Sequence, residues 1–290
     1  MSITRLDPVS QSPIPMDEGG PGSNQRDVST TLNYYPADSG PPIPVIVGET
    51  TVTNKRPSIA FGVTVHDVTG RQSDYNLDKN GFQFIHHVSE EKTFDDEERI
   101  TSLYYKEVEQ LLKDVTGASK VIIFNHRARR GPSDWHNAGM NNRLNAGPLF
   151  KVHVDQSYDG ARLVLDNLLP VESGGAVKHR YQIINVWRPI KTVLRDPLAV
   201  ADARSVPDED LLAACVLKPN GRSETWTVMP SASHRWFFKY KQQPDEVLLF
   251  KTFDSDKSVA RRVPHSAFKD EKHDGDAYRE SIEVRALVLY

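Results

Sequence analysis

Lys151-Val152-His153-Val154-Asp155-Gln156 is the most informative stretch of this chain. It ends the run Leu149–Val154, whose β-branched and aromatic residues predict a strand, and a helix is expected from Gly160 to Leu169. Residues i and i+2 of a strand share a face, so His153 and Asp155 present an imidazole and a carboxylate side by side. Outward from this segment, short apolar or alternating runs recur between turn signals. They are Pro44–Val47, Ile59–Val65, Phe82–Val88, Val121–Phe124, Tyr181–Trp187, Thr225–Val228, Trp236–Tyr240, Val247–Phe250 and Ser281–Leu289. Helices are fewer. One is expected from Asp95 to Thr116, with acidic residues in its first turn, 3-and-4 apolar spacing and Gly117 as its stop. Another is expected to start near Pro207 and run through Cys215. Many strands, peripheral helices and no regular βαβ alternation predict a mainly β sandwich or barrel of largely antiparallel strands.

Residues 1–30 are rich in Pro, Gly, Ser, Asp and Gln and lack apolar periodicity, so they read as a flexible or surface-draped tail. Residues 31–290 read as one domain. The 36 Lys and Arg against 39 Asp and Glu give a net charge of -3, no electrostatic footprint for nucleic acid. A hydrophobic share of 38% and a mean hydropathy of -0.52 leave no run approaching the ~20 apolar residues of a membrane span. Cys215, the one cysteine, excludes an internal disulfide and a cysteine zinc site. Together with an opening sequence lacking the apolar run of a secretory signal, it gives the expectation of a cytoplasmic protein.

The pair His153 and Asp155 is weak by itself. With ten His and 24 Asp in 290 residues, roughly one His-x-Asp arises by chance. Its context adds weight. Two histidines and one carboxylate on one face of an octahedral Fe(II) leave three positions open, enough for a co-substrate and dioxygen. Downstream, Asp245–Phe250 reads as a turn into a buried strand, and Arg262-Val263-Pro264-His265-Ser266-Ala267-Phe268 supplies a later histidine. Arg279-Glu280-Ser281-Ile282-Glu283-Val284-Arg285 then opens the last strand. Arg279 and Ser281 share a face, and a guanidinium fork beside a hydroxyl is a receptor for one carboxylate.

The order His-x-Asp, distal His, Arg-x-Ser resembles the non-haem Fe(II)/2-oxoglutarate-dependent oxygenases. More narrowly, the chain resembles a mostly fungal secondary-metabolism family that includes the gibberellin desaturase, the aspergillic acid hydroxylase and the cephamycin methoxylation protein. The resemblance is carried by Leu32–Tyr35, Phe124–Arg127, His153–Asp155, Asn185–Pro189, Pro197–Ala199, Asp245–Lys251, Pro264–Phe268 and Arg279–Arg285. It implies a double-stranded β-helix, a jelly-roll or cupin-like barrel, that uses Fe(II), 2-oxoglutarate and O2. It makes His153, Asp155 and His265 the metal ligands, and Arg279, helped by Ser281, the anchor for the far carboxylate of 2-oxoglutarate. The 109 residues between Asp155 and His265 require an insertion between core strands. His234 is the rival third ligand, and Arg285, on the same alternating face as Arg279, is the rival anchor.

The reaction so implied is hydroxylation, desaturation or oxidative cyclisation of a small molecule in a natural-product pathway. The alternatives are a non-oxidative metal-dependent hydrolase or isomerase, and a non-catalytic jelly-roll binding protein. Asn185 and Trp187 share a strand face and are candidates for the substrate pocket, although Trp in such a run is more often core. The basic run His126–Arg130 reads as a solvated loop or an anion clamp, His86 and His87 as ordinary polar packing on opposite faces, and Cys215 as a buried structural thiol. The stretch Gly131–Gly147, just before the His153 strand, is long enough to cover a site.

Overall fold

The computed structural model describes residues 26–46, 56–132, 146–169, 179–219 and 221–290. The strands are Val28–Tyr34 (β1), Val45–Ile46 (β2), Ile59–Asp67 (β3), Phe82–His86 (β4), Lys120–Arg129 (β5), His153–Val154 (β6), Tyr181–Pro189 (β7), Leu198–Ala201 (β8), Leu211–Lys218 (β9), Gly221–Val228 (β10), Trp236–Phe238 (β11), Glu246–Asp254 (β12), His265–Ala267 (β13) and Ser281–Leu289 (β14). They form a five-stranded sheet in the order β4-β12-β7-β14-β5 and a nine-stranded sheet in the order β1-β3-β11-β8-β13-β6-β10-β9-β2. Pairing is antiparallel except between β11 and β3 and between β2 and β9.

The centre of the five-stranded sheet is buried on both faces, which is why β7, β12 and β14 read as near-continuous apolar runs. Ile184, Val186, Val247, Leu249, Ile282 and Val284 pack beneath a helical segment. Asp96 caps that segment by accepting from the Glu98 and Arg99 amides. It then runs through Glu97–Arg99 (α1), a π-helical turn at Ile100–Tyr104 and Tyr105–Thr116 (α2), and Gly117 ends it in the left-handed region at φ 71°. Buried Arg188 ties the sheet to this layer through Tyr104 and His87, donating to the Tyr104 hydroxyl (3.0 Å) and to His87 Nδ1 (2.6 Å). On the opposite face Trp187, Leu248 and Phe250 meet Leu198, Val200 and Phe237 of the larger sheet. Ala199 and Ala201 point the other way, into a second cluster with Leu32, Trp236 and Phe238.

Several expectations are corrected. Pro207–Cys215 is not a helix: a short 3-10 turn at Asp208–Asp210 leads into β9, every residue of which pairs with β10. The helix propensity of Leu-Leu-Ala-Ala is a weak preference, and the hairpin ladder overrides it. Cys215 is half-buried in that strand, and its carbonyl accepts from Arg56 Nη2 (2.8 Å). β6 is shorter than the expected Leu149–Val154, and β1, β8 and β13 were not anticipated. Residues 26–30, expected in the tail, join the fold: β1 starts at Val28, and Arg26 pairs with buried Asp270 (2.9 Å) and lies over the Tyr240 ring. Residues 1–25, and residues 133–145 of the expected covering stretch, lie outside the described residues.

Candidate active site

β6 and β13 lie side by side, and His153 is in direct register with His265. Their rings are 4.3 Å apart, and His153 Nε2 is 3.5 Å from Asp155 Oδ1. One ligand atom from each of His153, Asp155 and His265 falls within 4.8 Å of the others. Both imidazoles are oriented by backbone. His153 Nδ1 donates to the Lys151 carbonyl (2.8 Å) and His265 Nδ1 to the Val263 carbonyl (3.2 Å). A carbonyl only accepts, so the proton sits on Nδ1 and the Nε2 lone pair is left for a metal. Burial, with His153 alongside, holds His265 down to about 3, so it is the neutral imidazole that ligation requires.

Burial by itself would raise the Asp155 carboxyl, but Arg285 and the two histidines outweigh it and hold it well below the usual carboxylate range. Its Oδ2 accepts from Asn185 Nδ2 and Arg285 Nε, both at 2.7 Å, which leaves Oδ1 facing the histidines. Asn185 and Arg285 are cross-strand partners on β7 and β14, so one register places both donors. The chain beyond Asp155 is pinned too. Ser157 caps Tyr158–Leu168 (α3) by accepting from the Gly160 amide and donates to Glu224 (2.6 Å). A Cβ at Gly160 would stand 2.0 Å from the Glu224 carbonyl, so only glycine allows this approach.

Beside the histidines, Arg279 is buried and gives Nη1 to the Asp196 carbonyl (2.8 Å). Its guanidinium sits 5.5 Å from the Trp187 ring centre. Arg279 Nε and Ser281 Oγ are buried with no hydrogen-bond partner among the described residues. Burial, with Arg129 nearby, lowers Arg279 to about 9. Arg129, His153, Trp187, His265 and Arg279 line one narrow cleft.

The rivals are engaged elsewhere. Arg285 is held by Asp155, by Glu283 (2.5 Å) and by Asn125 (2.9 Å). His234 uses both ring nitrogens: Nδ1 accepts from the Tyr34 hydroxyl (3.1 Å) and Nε2 donates to Asp210 (2.9 Å). Of the pocket candidates, Asn185 orients Asp155 and Trp187 forms a wall of the Arg279 cleft. Arg129, from the basic run His126–Arg130 expected as a solvated loop or an anion clamp, ends β5 and lines the Arg279 cleft. His86 is exposed near Asp245, while His87 accepts from Arg188, so the two rings do not converge.

The family described as "Oxidoreductase/YMDC permease-like domain" matches residues 32–289. The hydroxylase/desaturase efuI of Hormonema carpetanum is 39% identical over 285 residues, covering 91% of this chain and 95% of the relative. The alpha-ketoglutarate-dependent dioxygenase tstK of Talaromyces stipitatus is 35% identical, covering 93% and 100%. This chain belongs to the Fe(II)/2-oxoglutarate-dependent oxygenase family. A structure of the iron and alpha-ketoglutarate-dependent endoperoxidase NvfI superimposes on the oxygenase with a TM-score of 0.79 at 26% identity, covering 93% of this chain and 99% of NvfI. The fold is the jelly roll expected, and the protein is a 2-oxoglutarate- and O2-dependent oxidoreductase acting on a small molecule with Fe(II). Membership selects this reading over the hydrolase or isomerase and the binding module. No helix among the described residues is long and apolar enough to cross a membrane. The residues present fit iron and 2-oxoglutarate: three converging atoms could hold a metal ion, and a buried guanidinium and hydroxyl have donors unpartnered among the described residues that could meet a carboxylate.

Proposed function

We propose that His153, Asp155 and His265 hold the iron, that Arg279 with Ser281 binds the far carboxylate of 2-oxoglutarate, and that residues 26–290 act as one domain oxidising a C–H bond of a natural-product intermediate. The observation carrying this is the coincidence of three converging ligand atoms with an adjoining cleft lined by buried Arg279, whose Nε, like the Ser281 hydroxyl two residues on, has no hydrogen-bond partner among the described residues. The chemistry supplied by the bound group is O2-driven decarboxylation of 2-oxoglutarate to succinate and CO2, coupled to removal of hydrogen from substrate. The chain's own part is orientation. Backbone carbonyls fix the two imidazoles, Asn185 and Arg285 hold Asp155 by Oδ2, and Arg279 aligns the co-substrate by its remote end. Trp187 and Phe250, packed against Arg279 and His265, keep water from the cleft. A single cysteine supports a cytoplasmic setting. Calorimetry with Mn(II) and 2-oxoglutarate tests the assignment. Expected is one metal site lost in His153→Ala, and 2-oxoglutarate binding that requires metal and weakens in Arg279→Ala. Metal binding unchanged in His153→Ala would overturn it.

A further inference from the structure

A cavity of about 250 Å³ opens on His153 and Asp155 from the side of β1. Tyr34, Tyr35, Leu149 and Val152 give it apolar and aromatic walls. Three cations also line it, Arg129, which it shares with the Arg279 cleft, and Arg56 and Lys151, whose partners are backbone carbonyls. Arg56 donates to Ile43 and Cys215 (both 2.8 Å), and Lys151 Nζ lies 3.4 Å from the Arg56 carbonyl. Among the described residues neither forms an ion pair with a carboxylate. The acid that borders the cavity is Asp155, and its charge is already met by Arg285. Arg56 and Lys151 are like charges, half-buried and, among the described residues, without a carboxylate counter-ion, so they form a region whose repulsion an anion relieves.

We infer that this cavity is the substrate pocket and that the substrate is a compact apolar carboxylic acid, its carboxylate on Arg56 and Lys151 and its reacting carbon towards His153 and Asp155. The inference rests on the proposed iron site and adds the substrate class. An anionic group held at one end of an apolar body fixes which carbon reaches the metal side, so the pair sets regiochemistry as well as affinity.

The test uses full-length protein loaded with Mn(II) and saturating 2-oxoglutarate, so that the Arg279 cleft is filled. It is titrated calorimetrically with 2-naphthoate and with the neutral 2-naphthamide. Expected is saturable binding of the acid at least about tenfold tighter than the amide, the scale of one charge-assisted contact. In Arg56→Gln/Lys151→Gln the preference falls below about threefold while the 2-oxoglutarate affinity holds. Should the double variant fail to fold, Lys151→Gln alone reads the same loss in part. Equal affinities, no binding of the acid, or a preference that survives in the variants overturns the substrate class. If Mn(II) and 2-oxoglutarate themselves fail to bind, the iron-site assignment falls and this inference with it.

Discussion

The two sheets supply the site in different ways. The nine-stranded sheet carries both histidines on its slightest elements, β6 with two residues and β13 with three. The five-stranded sheet carries Asn185, Ser281 and Arg285 on β7 and β14, nine residues each and buried on both faces beneath α2. Strands as short as β6 and β13 have few ladder bonds to fix them. The histidines owe their geometry to β8 and β10 on either side, to carbonyl bonds at Nδ1 and to the Phe250 ring 4.7 Å from His265. The opposite sheet is a stiff backing that holds Asp155 from behind. One side presents ligand atoms and the other fixes charge.

Substitutions separate those roles. His265→Ala or His153→Ala removes a proposed ligand, and Mn(II) affinity measured calorimetrically is expected to fall by more than about 100-fold, beyond what loss of an outer partner produces. Arg285→Met acts on the backing. It strands the Asp155 carboxylate, and urea unfolding of metal-free protein is expected to show a loss on the order of 3 kcal/mol. Asn185→Ala, removing the other donor to Oδ2, is expected to weaken metal binding by about tenfold with a smaller loss of stability. Arg279→Met leaves the ligand atoms in place, so KM for 2-oxoglutarate is expected to rise about 10- to 100-fold with kcat less affected, the pattern of lost co-substrate binding.

The smallest effect concerns His234, the rival histidine, whose ring nitrogens are both engaged by Tyr34 and Asp210. Burial lowers the His234 pKa in the folded protein, despite the Asp210 carboxylate. Below about pH 6.5 the unfolded chain takes up a proton there that the folded chain resists, so stability falls as pH falls through that value. The slope of unfolding free energy against pH between 7 and the folded pKa is expected to shrink in His234→Gln, with Mn(II) affinity at pH 7 unchanged. A loss of metal affinity would return His234 to the site.

Much of the five-stranded sheet was legible because burial on both faces leaves a plain signal in Tyr181–Trp187, Val247–Phe250 and Ser281–Leu289. The nine-stranded sheet was less so. β9 carries Leu and Ala in a pattern that suits a helix, and its ladders with β10 and β2 make it a strand. β1, VSTTLNY, is half polar, and β8 and β13 are too short for periodicity to register. For the site, His153 and Asp155 could be paired from spacing, and Arg279 and Ser281 likewise. Local spacing could not decide between Arg279 and Arg285, six residues apart on one face. That depended on which of them Asp155 and Glu283 engage, a matter of contacts between sheets. His265 is favoured over its rival His234 in sequence only by its place just before the last strand. They differ in whether a ring nitrogen is left over.

The most direct measurement is succinate formed from 2-oxoglutarate by anaerobically prepared protein given Fe(II) and ascorbate, with and without O2, in wild type, His265→Ala and Arg279→Ala. Expected is O2-dependent succinate in wild type, none in His265→Ala, and recovery in Arg279→Ala only at much higher 2-oxoglutarate. Succinate undiminished in His265→Ala, or wild-type protein with Fe(II) that neither forms succinate nor binds 2-oxoglutarate saturably, would contradict the assignment of this iron site.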